Sequence, residues 1–129
     1  MSARLLEGKP VADAVLADVA ARVEKLKQKG IFPGLGTILV GDDPASAGYV
    51  RKKHETCQTV GIRSFDTRIG ADAAQADLLA AVAAFNGNPD VDAFIIQNPV
   101  PRTFDFNEAL LYMDPQKDAD GLHPINLGK

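Results

Sequence analysis

Tryptophan is absent from this chain, cysteine occurs once and histidine twice in 129 residues. A lone thiol, Cys57, excludes an internal disulfide framework and fits a reducing compartment. His54 and His123 have no partner evident in the sequence, so neither marks a metal or catalytic centre. Asp114, Asp118 and Asp120 stand close together in DPQKDADG, but the further alternating ligands and terminal glutamate of a calcium loop are missing. No apolar run approaches the roughly 20 residues that span a bilayer. The opening MSARLLEGKP lacks the sustained apolar core of a secretory signal, and a cytoplasmic protein is expected. Charge is unblocked: 14 basic and 17 acidic residues give a net −3, with no basic stripe for nucleic acid. A dinucleotide fingerprint is lacking as well. Gly34-Leu35-Gly36 precedes a strand rather than following one, Leu39 stands where the third glycine belongs, and no phosphate-binding loop exists. Repeats and low-complexity tracts are absent.

What remains is an ordinary globular composition, 46% hydrophobic and 24% charged, long enough for one domain with its own core. After Lys9-Pro10, an alanine-rich helix carries an apolar repeat through Val11, Val15, Leu16, Val19, Val23 and Leu26 and stops at Gly30. Leu35–Val40 reads as a buried strand, Pro44–Gly61 as a helix, and Ile62–Ile69 as a second strand. A helix over Asp72–Phe85, a third strand over Asp92–Ile96, a short helix over Phe106–Met113 and a turn-rich tail complete the chain. Such alternation predicts an α/β fold, a three-layer αβα arrangement with a mainly parallel sheet, spanning residues 1–129 as one domain. Ligands of such sheets sit beyond the carboxyl ends of the strands, here the loops Gly41–Ser46 and Gln97–Arg102.

The sharpest single signal is a charge within an apolar stripe. On the second helix Ser46, Tyr49, Val50, Lys53, Cys57 and Val60 share one face. Lys53 lies one turn beyond Tyr49, and a lysine against packed surface loses hydration and basicity, as proton transfer near neutral pH requires. The plainer alternative is an edge lysine resting its methylenes on apolar surface. Tyr49 offers a flat face to a planar ligand, or is a half-buried aromatic. Ser46 is a cleft residue or a helix-start residue bonding a backbone N–H. Gln97 ends a buried strand, where its amide either holds a neighbouring amine or merely satisfies a strand end. Pro99 and Pro101 fix a stiff loop and are expected to wall a pocket. Asp120 before Gly121 is a turn residue, or its carboxylate accepts two N–H donors of a heterocycle. Cys57, on the buried stripe, reads as inert packing.

VGDDPASAGYVRKKHETCQTVGI, IIQNPVP and DPQKDADGLHPINLGK, in this order and spacing, resemble the amino-terminal domain of the bifunctional methylenetetrahydrofolate dehydrogenase/methenyltetrahydrofolate cyclohydrolase family, from about Leu5 onward. The helical YxxxK and the KDxDG segment are specific in combination. The resemblance implies a folate-binding catalytic domain of a two-domain enzyme of one-carbon metabolism. In that enzyme, 5,10-methylenetetrahydrofolate is oxidised with NADP and the methenyl product is hydrolysed to 10-formyltetrahydrofolate. It implies Lys53 as catalytic lysine, Gln97 as the glutamine that hydrogen-bonds it, and Tyr49 as the ring that stacks on the folate. Asp120 would hold the amino-pyrimidine edge, with Ser46, Pro99 and Val100 lining the cleft. It also implies a homodimer when intact, and a nicotinamide domain, with a final helix returning to the first domain, that this chain lacks.

One departure is Asn98-Pro99-Val100-Pro101 where the family usually carries Leu-Pro-Leu-Pro. The chain also stops at Lys129, mid-motif, so a domain-length piece is expected that binds folate, lacks dehydrogenase activity and turns over methenyltetrahydrofolate weakly. Two alternatives are a folate-binding piece without turnover and a receiver-type signalling module. Asp42-Asp43 suits a receiver, but Gln97 stands where its phosphoryl-accepting aspartate should end the third strand.

Overall fold

Three short apolar runs pair side by side in the computed structural model, which describes residues 3–128. β1 (Gly34–Val40) is central, with β2 (Arg63–Ile69) on one side and β3 (Ala93–Ile96) on the other, all parallel. Leu35 pairs with Ser64 and with Ala93, which sets the register across the sheet. Parallel neighbours need long crossovers. α2 (Pro44–Val60) supplies the first and α3 (Gln75–Gly87) the second. The three-layer αβα arrangement read from the sequence is the observed one.

Alternate β1 side chains serve opposite faces. Ile38 and Val40 join Leu78, Val82, Phe85, Phe94 and Phe104 in the main core on the α3 side. α4 (Phe106–Tyr112) packs there too, through the fully buried Ala109. Gly36 belongs to this face because Phe85 crosses directly over it: a Cβ would lie 2.9 Å from the Phe85 ring and 2.9 Å from Phe94 Cβ. The other face is covered by α2, whose buried residues are Ser46, Val50, Cys57 and Val60. The charged-stripe periodicity on that helix is therefore real. Asp43 caps α2, its carboxylate accepting from Ala45 N–H, and Gly61 closes it at φ 88°, a backbone that L side chains rarely adopt.

Three expectations shift. α1 (Gly8–Gln28) forms as read, but Val23 is its one buried residue, and Val11 and Val15 are exposed. The helix packs mainly against α2, so its apolar repeat faces a shallow cover instead of a core. α3 starts at Gln75 rather than Asp72, because Asp77 reaches back to accept from Ala74 N–H at 2.9 Å and sets the first turn there. The tail, expected as turns, contains a single 3-10 turn (Pro115–Lys117) and a short helix α5 (Pro124–Leu127). Among the described residues no helix is long and apolar enough to cross a membrane.

Candidate active site

Strand order places the site. With β2 and β3 on opposite sides of β1, the loops leaving β1 and β3 are neighbours at the carboxyl edge, the crevice where open α/β sheets hold ligands. Gln97 is the first residue of the β3 exit and still bonds the sheet, its N–H donating to Ile38 O at 2.9 Å. α2 begins two residues after Asp42 in the other exit and carries Lys53 alongside. The two side chains meet: Lys53 Nζ donates to Gln97 Oε1 at 2.8 Å. These residues are 44 apart in sequence, so the contact is made by the fold.

The orientation of that glutamine is fixed from behind. Gln97 Nε2 donates to Asn98 O at 3.2 Å, which turns the amide oxygen toward the lysine. Ser46 Oγ donates to Asp43 Oδ2 at 3.2 Å and reaches Asn98 O at 3.5 Å. Ser46 thus ties the start of α2 to the β3 exit and is itself 0% exposed. The sequence expectation that it lines the cleft is corrected: the hydroxyl sits behind the pair, with no surface for a ligand.

Lys53 is half-buried, and Tyr49, one turn earlier, is 59% exposed. Both line a cavity of about 500 Å³ on the α2 face of the sheet, with Asp120 at its edge and Leu35, Cys57 and Ile95 along its floor. Leu16 and Val19 of α1 form the far wall. A mainly apolar cavity whose lining also includes an amine, a phenol and a carboxylate suits a flat heterocycle. Sequence reasoning missed the α1 wall, although the repeat that includes Leu16 and Val19 was its signal.

Pro99 and Val100 are not brought to this cavity. They border a smaller hollow of about 170 Å³ with Val40, Gly41, Asp43 and Ala71, and Val100 packs against the core on the α3 side. Tied back through its Asn98 carbonyl, the chain leaves Gln97 toward the opposite face, so the expected pocket wall is the wall of a different depression. Asn98 is exposed there.

Asp120 owes its place to a well-anchored tail. Ala119 N–H donates to Phe94 O at 3.3 Å, and Lys117 Nζ bonds the carbonyls of Phe85 and Asn88, both at 2.9 Å, at the end of α3. Asp114 caps the 3-10 turn and Asp118 accepts from Leu122, His123 and Asn126. The acidic cluster therefore organises backbone, and among the described residues no group of metal-ligating side chains comes together.

His123 is buried, its Nδ1 accepting from Ile125 N–H as a helix cap, and His54 lies 3.5 Å from Asp66, away from the cavity. Burial, reinforced by the Asp66 charge, pushes the Cys57 thiol up, in keeping with packing rather than nucleophilic use. The turn after β1, where a dinucleotide's pyrophosphate would be cradled, carries the carboxylates of Asp42 and Asp43, which would repel a second anion, with Asp43 bonded to Ala45 and Ser46. That turn does not fit a dinucleotide's pyrophosphate.

Residues 6–120 match the family model of the tetrahydrofolate dehydrogenase/cyclohydrolase catalytic domain, and the chain belongs to that family. The bifunctional protein FolD of Syntrophotalea carbinolica is 69% identical over all 129 residues, which cover 44% of that protein. Among solved structures, the bifunctional FolD dehydrogenase/cyclohydrolase of Campylobacter jejuni is 35% identical at a TM-score of 0.94, over 97% of this chain and 44% of that one. The Trypanosoma brucei dehydrogenase-cyclohydrolase, solved with NADP cofactor and inhibitor, is 34% identical at a TM-score of 0.95, over 99% of this chain and 44% of that one. The chain thus spans under half the length of the relatives it matches.

Proposed function

We propose that this chain is the folate-binding catalytic domain of a methylenetetrahydrofolate dehydrogenase/methenyltetrahydrofolate cyclohydrolase, and that Lys53 is its acid–base residue. The observation that carries the reading is the 2.8 Å Lys53–Gln97 bond, with Lys53 lining a cavity that also offers Tyr49 and Asp120. Tyr49 stacks on the folate, and Asp120 accepts the paired N–H donors of the amino-pyrimidine edge. With one N–H held by Gln97, the amine keeps its remaining positions for a reactant. In the cyclohydrolase step, water adds to the methenyl carbon and its proton passes to the Lys53 amine. The protonated amine then assists opening of the ring to 10-formyltetrahydrofolate. Help of this kind is worth about 10²–10⁴ in rate.

The hydride step belongs to the whole protein. Its NADP is held by a second domain outside this chain, consistent with the poor fit of the β1 turn to a dinucleotide. Homodimer assembly and a cytoplasmic location go with the same reading, the latter supported by the single reduced Cys57. Catalysis is tested by following loss of methenyltetrahydrofolate with the parent and Lys53→Met. A parent rate well above both buffer and the variant supports the proposal, and equality of all three overturns it. Titration with 5-formyltetrahydrofolate separates binding without turnover from no binding at all.

A further inference from the structure

Asp118 stands two residues before Asp120, and its carboxylate bonds the loop that delivers Asp120 to the cavity and the start of the helix that follows. Its Oδ1 accepts from Leu122 N–H at 3.2 Å, and its Oδ2 from His123 N–H at 2.8 Å and Asn126 Nδ2 at 2.9 Å. Gly121 N–H closes the turn onto Asp118 O at 3.3 Å, with the glycine at φ 69°. On the strand side Asp118 forms a parallel bridge with Phe94, a fully buried residue of β3. The carboxylate therefore clamps the far end of a tight loop whose near end is tied to the sheet by backbone, while Asp120 at the tip stays exposed at the cavity edge.

We propose that Asp118 is a positioning residue that holds Asp120 in register with Lys53 and Tyr49 for the heterocycle; this rests on the reading of the cavity as the folate site. The chemistry requires both carboxylate oxygens. Three N–H donors converge on acceptors only, so an asparagine at 118 would turn an NH₂ group against at least one of them. Burial of Asp118 raises its proton affinity, and the bonds from Asn126, His123, Leu122 and Gly121 outweigh it, holding the carboxyl below its usual range. The clamp is thus charged at neutral pH. A loop so held presents Asp120 without an ordering cost on binding, the usual gain from preorganisation.

The test uses the full 129-residue chain and 5-formyltetrahydrofolate as calorimetric ligand, with Asp118→Asn, Asp120→Asn and the double variant. Each single change is expected to raise Kd by about tenfold or more, the scale of a lost charge-assisted hydrogen bond. Because Asp118 acts through Asp120, the double variant should bind within about threefold of Asp120→Asn alone. Effects that multiply, or an Asp118→Asn that binds like the parent, overturn the proposal. Amide exchange supplies a readout independent of the ligand. Leu122 and His123 should exchange about tenfold faster or more in Asp118→Asn while β1 amides hold their rates, and unchanged loop exchange overturns the clamp. If the parent takes up no folate, the folate reading falls, and exchange alone decides whether Asp118 fixes the loop. Should Asp118→Asn fail to fold, Asn126→Ala, which removes one donor from the same carboxylate, carries the same two measurements.

Discussion

Replacing Gln97 by leucine separates what positions Lys53 from what merely surrounds it. Leucine keeps most of the volume but offers neither the acceptor that meets Nζ at 2.8 Å nor the donor that meets Asn98 O at 3.2 Å. Both side chains are half-buried, so water can replace the lost partners, and the cost to folding should stay near 1 kcal/mol. The cost to turnover should be larger. A freed lysine spreads over its rotamers, and catalysis keeps only the fraction of time the amine spends on line. Of the roughly 10²–10⁴ that acid–base help supplies, about one to two powers of ten should go with Gln97→Leu, seen in kcat with little change in KM. Lys53→Met removes the whole contribution. In the Lys53→Met background, Gln97→Leu should then cost less than about threefold, because nothing is left to position. Steady-state loss of methenyltetrahydrofolate in the four proteins measures the cycle, with thermal unfolding as the folding control. A Gln97→Leu rate equal to the parent's, or a penalty that persists undiminished in the Lys53→Met background, would refute the pairing as the basis of catalysis.

Gly36→Ala should destabilise the chain by about 1–3 kcal/mol in urea unfolding, since the new methyl meets the Phe85 ring and Phe94 Cβ, both at 2.9 Å, and Phe94 Cβ cannot rotate aside. A change under about 0.5 kcal/mol would mean that the sheet and α3 part more readily than their packing implies. Asp118, whose carboxyl is held below its ordinary range, contributes stability that is present above the unfolded carboxylate value and lost as pH falls through the folded one. The stability gap between parent and Asp118→Asn should therefore be widest near neutrality and narrow below about pH 4, followed by denaturant midpoints across pH. Cys57, 5% exposed with its thiol pushed up, should react with an aromatic disulfide reagent far more slowly than a free thiol, and more slowly still with folate in the cavity it lines. Fast labelling of the native chain would place the α2 stripe in solvent.

How much of this was legible beforehand follows the range of each interaction. Helix α2 was read almost to its last residue because its signals are local: a proline near the start, a glycine at the stop, and a 3.6-residue repeat between. The neighbourhood of Tyr49 and Lys53 follows from the same period. The partner of Lys53 does not follow from local pattern, since a contact across 44 residues depends on which strand flanks β1; the residues alone mark Gln97 as a strand-end amide able to hold an amine, and the family resemblance is what pairs it with Lys53. The misplacements share a cause. The family resemblance places Ser46 and Val100 in the cleft, yet one hydrogen-bond junction at the Asn98 carbonyl puts the serine behind the site, and Val100 packs on the other face. Val11 and Val15 showed periodicity without a cover, because a repeat states which face is apolar and not what lies against it.

The division of labour between the two faces of the sheet explains why a domain this small can carry a site at all. Phe85, Phe94, Phe104 and four fully or nearly buried aliphatics of β1 and α3 concentrate the packing on one side. That leaves β1, β3 and α2 on the other side free to hold a trough of about 500 Å³ instead of a filled core. An empty apolar trough is normally costly, because its lining forgoes contacts that packing would supply. Here its walls are rigid from behind: Ile95 on the floor belongs to a strand whose neighbouring side chains are locked into the main core, and Cys57 belongs to the buried stripe of α2. The consequence is testable in direction. Filling the trough from within, by Cys57→Leu, should raise the unfolding midpoint while weakening folate binding, since the same volume cannot serve both. Were that variant to bind folate as the parent does, the ligand would have to lie elsewhere than against Tyr49 and Lys53.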